Sequence, residues 1–83
     1  MYQVNLSNQA AKELKKLPKS TLNDIILKIE ELKSNPRPIN CKKLKDRDAY
    51  RIRIGNYGVI YNINDNILMI LVIAIGHRKD IYN

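Results

Sequence analysis

Two alternating runs, Tyr50-Arg51-Ile52-Arg53-Ile54 and Tyr57-Gly58-Val59-Ile60-Tyr61-Asn62-Ile63, are separated by Gly55-Asn56 alone. This constrains the chain more than any other feature. A two-residue loop containing glycine joins neighbouring antiparallel strands, and it fixes their register. Ile54 then faces Tyr57, Arg53 lies opposite Gly58, Ile52 opposite Val59, Arg51 opposite Ile60 and Tyr50 opposite Tyr61. One side of this hairpin carries Tyr50, Ile52, Ile54, Tyr57, Val59 and Tyr61 and needs an apolar cover. The other carries Arg51, Arg53, Gly58 and Ile60. Neighbouring guanidinium groups repel each other, so that side either stays in solvent or meets an anion.

The first half of the chain supplies the cover. Tyr2 to Leu6 alternates and predicts an opening or edge strand. Ser7 is a suitable N-cap for a helix with Ala10, Ala11, Leu14 and Leu17 on one side and Lys12, Lys15 and Lys16 on the rest. Pro18 interrupts, and a second helix begins near Lys19 or Ser20 with a stripe of Leu22, Ile25, Ile26, Ile29 and Leu32. Asn35-Pro36-Arg37-Pro38 ends it. Residues 39–48 predict a basic loop without periodicity. Asn64-Asp65-Asn66 is a second turn signal, and Ile67 to Ile75 is apolar on both faces, as in a central strand. Eighty-three residues with no repeat or linker predict a single domain over 1–83. The expected architecture is α+β: two N-terminal helices on an antiparallel-rich twisted sheet of about four strands, in the order β-α-α-β-β-β, with a short C-terminal helical turn.

Fifteen Lys and Arg against eight Asp and Glu give a net charge of +7. Lys42, Lys43, Lys45, Arg47, Arg51 and Arg53 fall in one segment, opposed only by Asp46 and Asp48. Such clustering points to a polyanionic partner. Gly58 is a gap in this basic patch, because glycine inside a strand gives up packing and marks a bulge or a close backbone approach. After Gly76 the chain ends in His77-Arg78-Lys79-Asp80-Ile81-Tyr82, a cluster that offers charge and proton transfer. Cys41 is alone, so neither an intramolecular disulfide nor a cysteine metal site is expected, and no metal or cofactor is called for. The start lacks the pattern of a secretion signal, and the longest apolar run is too short for a membrane helix, so a cytoplasmic protein with no membrane partner is expected.

The chain resembles the RelE/ParE superfamily of toxins from toxin–antitoxin pairs. The resemblance is carried by Leu14-Lys15-Lys16-Leu17-Pro18, Cys41-Lys42-Lys43-Leu44-Lys45, Tyr50-Arg51-Ile52-Arg53-Ile54-Gly55, Tyr57-Gly58-Val59-Ile60-Tyr61 and, most specifically, Ile75-Gly76-His77-Arg78-Lys79-Asp80-Ile81-Tyr82. Its RelE branch implies a metal-independent, ribosome-dependent endoribonuclease that cuts messenger RNA in the A site and so inhibits translation. It implies Arg51, Arg53, Arg78 and Tyr82 as catalytic residues, with His77 a further candidate for proton transfer. Lys42, Lys43, Lys45, Arg47 and Lys79 are the expected RNA and ribosome contacts. The family pattern has an arginine where this chain has Gly58, which implies attenuated or absent activity in this copy. The implied partners are a cognate RelB-like antitoxin, the ribosome with its mRNA, and operator DNA reached through the antitoxin. The ParE branch implies a DNA gyrase inhibitor instead, and a non-catalytic antitoxin- and operator-binding module is the third alternative.

Overall fold

Gly55 takes φ 60°, the left-handed conformation that a II′ hairpin requires at the first of its two loop positions. It connects strands Tyr50–Ile54 and Tyr57–Asn64, paired in the expected register from Ile54↔Tyr57 to Tyr50↔Tyr61. The computed structural model describes residues 1–77 of the chain. In chain order its elements are β1 (Gln3–Leu6), α1 (Asn8–Lys15), α2 (Lys19–Leu32), β2 (Lys42–Lys43), β3 (Tyr50–Ile54), β4 (Tyr57–Asn64) and β5 (Met69–His77). The sheet order is β1-β5-β4-β3-β2, with β1 parallel to β5 and the other pairs antiparallel.

The architecture is the expected α+β arrangement, with two differences of detail. The basic segment contributes a fifth strand: Lys42 and Lys43 pair with Arg51 and Tyr50. The last strand runs over Met69–His77, because β1 pairs from Gln3↔Met69 onward and leaves Ile67 and Leu68 exposed in the turn. The expected C-terminal helical turn lies outside the described residues.

Both helices cover the same sheet face. Ala10, Ile25, Ile29 and Leu32 pack on Ile52, Val59, Tyr61, Ile70, Val72 and Ile75, flanked by Tyr50, Ile54 and Tyr57. The α2 stripe is narrower than its sequence suggests. Ile25 is 0% exposed but Ile26 is 43% exposed, opening on a groove shared with Val4, Leu6 and Leu14.

The phase of β5 changes along its length. Ile60 pairs with Ala74 but Tyr61 pairs with Val72, so Ile73 is an extra residue, a β-bulge. Ile70 and Val72 face the helices before it, and Ile75 faces them after it. The bulge falls where β1 ends, at Leu6↔Val72, leaving the rest of that β5 edge to α1. Ser7 takes over: its backbone N–H donates to Val72 C=O at 2.9 Å, its Oγ donates to Ile73 C=O at 2.7 Å, and the same Oγ caps α1 by accepting from Ala10 N–H at 3.0 Å. Glu13 Oε1 accepts from Ile75 N–H at 2.9 Å. Glu13→Ala leaves that part-buried donor without its carboxylate. The expected loss is about 1–3 kcal/mol in urea denaturation, with faster hydrogen exchange at the Ile75 amide. An unchanged Ile75 amide would mean that Glu13 does not hold the bulge.

Candidate nucleic-acid interface

The sheet face opposite the helices is built from two cross-strand rows. Residues directly opposite one another share a face, so Lys42, Arg51, Ile60 and Ala74 form one row and Arg53, Gly58 and Gly76 form the next. In the first row, Ile60 is 2% exposed and belongs with Ala49 and Ala74 to a small second core that Leu44 and Ile73 border. Leu44 N–H donates to Ala49 C=O at 2.9 Å and closes the intervening basic loop. The segment without periodicity is therefore anchored by two apolar side chains, and it carries Lys45 and Arg47 as exposed cations at the border of this face.

Lys42, Arg51, Arg53 and Asn40 line one pocket of about 190 Å³. Among the described residues, three cations and an amide line it. In the second row Gly58 and Gly76 pair directly, so the backbone beside Arg53 carries no side chain across two strands. Gly58 itself is buried.

His77 pairs with Tyr57, and their rings meet edge to face at 5.6 Å. Tyr57 belongs to the helix-covered side, so His77 points away from Arg51 and Arg53. Lys43 also turns from the pocket: its Nζ lies 3.5 Å from Asp48 and 5.8 Å from the Tyr50 ring centre. Arg78, Lys79 and Tyr82 lie outside the described residues.

The family model described as "ParE toxin of type II toxin-antitoxin system, parDE" matches residues 4–82. The chain belongs to the RelE/ParE superfamily of type II toxins. This RelE/ParE toxin is 35% identical to toxin RelE1 of Methanocaldococcus jannaschii over 98% of its own length and 94% of the relative's. It is 28% identical to the mRNA interferase toxin RelE of Escherichia coli K12, over 94% of this chain and 84% of that one. The toxin superposes on the archaeal RelE–RelB complex from Pyrococcus horikoshii with a TM-score of 0.84 at 29% identity, covering 95% and 97% of the two chains.

On the helix side of the toxin, Arg37 organises a cluster that the sequence did not reveal. Its Nη2 lies 2.9 Å from Asp65 Oδ2, its Nε donates to Tyr50 Oη at 3.1 Å, and its guanidinium sits 5.4 Å from the Tyr50 ring centre. Tyr2 Oη also donates to Asp65. The Arg37 hydrogen bond, followed by that from Tyr2, holds the Asp65 carboxyl below its ordinary pKa, and the same Asp65 contact pushes the Tyr2 hydroxyl up. Tyr61 Oη donates to Pro36 C=O at 2.8 Å, and burial raises its pKa. Together these contacts fasten the segment before β2 and so set where Asn40 and Lys42 begin. Asn40 was the pocket residue missed by sequence reasoning. Its signal was its place two residues before Lys42, usable only once a two-residue strand is known to start there. Among the described residues of the toxin, no group of His, Cys, Asp and Glu is placed to hold a metal ion, and no helix is long and apolar enough to cross a membrane.

Proposed function

We propose that this toxin is a RelE-type endoribonuclease that cuts messenger RNA in the ribosomal A site, with Gly58 leaving its turnover attenuated. The reaction is attack of a ribose 2′-hydroxyl on the adjacent phosphate, giving a cyclic phosphate and a free 5′-hydroxyl. It needs charge stabilisation of a phosphorane-like transition state and two proton transfers. A guanidinium is a fixed cationic fork of N–H donors, so Arg51 and Arg53 serve to stabilise charge rather than move protons. Arg78 adds to that charge and Tyr82 handles protons, in the roles the family resemblance gives them. His77 has no part in this scheme, since its ring packs on Tyr57 on the far side of the sheet. Lys45, Arg47 and Lys79 serve as ribosome contacts, and a RelB-like antitoxin is the partner that silences the surface and carries the toxin to operator DNA.

The observation that carries this reading is the joint lining of one pocket by Lys42, Arg51 and Arg53 beside a glycine-paired backbone. Support also comes from the E. coli mRNA interferase RelE among the relatives. The ParE family match favours a second reading, inhibition of DNA gyrase. The deciding experiment adds purified toxin to programmed ribosomes and, separately, to a gyrase supercoiling reaction. Cleavage within the A-site codon, falling about 10²-fold in Arg53→Ala, is the expected result. Blocked supercoiling with intact mRNA supports the gyrase reading instead. Silence in both assays that persists in Gly58→Arg leaves a non-catalytic antitoxin-binding module.

A further inference from the structure

We infer that Arg37 is a positioning residue for the pocket face: acting from the helix side of the sheet, it fixes β2 and so the place of Lys42 beside Arg51. This role rests on the proposed action on RNA and names what holds one wall of that site. β2 is Lys42–Lys43 alone. Two residues make too short a ladder to set their own register, so contacts on either side of the strand must set it. At its exit, Leu44 packs against the second core and its N–H donates to Ala49 C=O at 2.9 Å. At its entrance the fastening is Arg37.

Side chains alternate across a sheet, so the two β2 residues meet β3 on different faces. Lys43 pairs with Tyr50 on the helix side, and Lys42 pairs with Arg51 on the pocket side. Arg37 grips the Tyr50 end of this arrangement. Its Nη1 and Nη2 donate to the two carboxylate oxygens of Asp65 at 3.3 and 2.9 Å, and its Nε donates to Tyr50 Oη at 3.1 Å. Arg37 and Lys43 both lie against the Tyr50 ring, at 5.4 and 5.8 Å from its centre. One planar fork therefore ties together the stretch entering β2, the start of β3 and the turn between β4 and β5. A turn closed by Cys41 N–H donating to Pro38 C=O at 3.0 Å tightens the link from Arg37 to β2. A displacement of Arg37 is thus passed to Asn40 and Lys42.

The side chains of the Arg37–Asp65 pair are 43% and 54% exposed. Exposed ion pairs add little to global stability, so what this one supplies is position. Arg51 and Arg53 belong to a hairpin whose own loop sets its register. Loss of Arg37 therefore moves Lys42 and Asn40 and leaves the two arginines in place. The consequence is weaker RNA binding with turnover preserved.

The test compares Arg37→Ala with Asp65→Ala in the full chain. The first removes a positive charge and the second a negative one, so electrostatics alone shifts ribosome affinity in opposite directions. Loss of a shared fastening shifts it the same way. Both variants are expected to raise KM for cleavage on programmed ribosomes about tenfold, with kcat changed less than about twofold. The melting temperature stays within about 4 °C of the unmutated chain. Arg37→Lys keeps the charge without the fork and is expected to behave like Arg37→Ala. In a Lys42→Ala background, Arg37→Ala adds less than about threefold, because the contact it positions is already gone. Both alanine variants also lose the NMR cross-strand contacts between β2 and the Tyr50–Arg51 end of β3, while those between β3 and β4 persist. Opposite effects of the two variants, additive losses with Lys42→Ala, or a melting temperature that falls with the KM effect overturns the positioning role. The NMR measurement needs no ribosome. An intact β2 register beside normal cleavage removes the positioning role alone. A lost register with no cleavage in any variant, Gly58→Arg included, removes the nuclease reading alone.

Discussion

Gly58→Arg is expected to raise mRNA cleavage on programmed ribosomes by about 10²–10³-fold, the effect of restoring one preorganised cation at a phosphoryl transition state. Position 58 lies directly between Arg53 and Gly76, so an arginine side chain there leaves on the same face as Arg53, with no side chain on its Gly76 flank. Gly58 is buried, so the added side chain must also be accepted by the packing around that position. It adds like charge beside Arg51 and Arg53, a repulsion that a bound phosphate relieves. The check pairs cleavage mapping with growth arrest on induction and with a thermal melt that confirms folding. A folded variant that gains neither cleavage nor growth arrest shows that position 58 is not the missing contact.

Ile25→Ala is expected to cost about 2–5 kcal/mol, whereas Ile26→Ala costs about 1 kcal/mol or less. Ile25 is fully buried beneath α2, while its neighbour opens on the groove beside Val4, Leu6 and Leu14. A chain of this length holds only about 4–12 kcal/mol in total, so the first change removes a large share of it. Each kcal/mol moves the melting temperature by about 4–8 °C in a domain of this size. Urea or thermal unfolding of the two variants therefore separates them widely. Equal losses would mean that the α2 stripe is buried as broadly as its periodicity suggests.

The contrast between those adjacent isoleucines shows where sequence reasoning reached its limit. Periodicity identified α2 and its buried side, but the width of that side depends on how closely β1 and α1 approach, which no local pattern encodes. Arg37 is a similar case. Its neighbours Pro36 and Pro38 mark the end of a helix, yet its partners Asp65 and Tyr50 are distant in the chain and converge only after the sheet forms.

Local sequence determined the hairpin completely: its two-residue loop, its register and the segregation of Arg51, Arg53 and Gly58 from the aromatic side. Alternation and loop length are short-range properties, so a contiguous stretch from Tyr50 to Ile63 contains all that is needed. The direction of His77 was decided only in three dimensions. Ile67 to Ile75 is apolar on both faces and so carries no phase of its own. The extra residue at Ile73, held by Ser7 and Glu13 where β5 passes from β1 to α1, turns Gly76 toward Arg53 and His77 toward Tyr57. The pocket too is tertiary, because two residues of β2 are too few to show periodicity, and only pairing with β3 sets Lys42 beside Arg51.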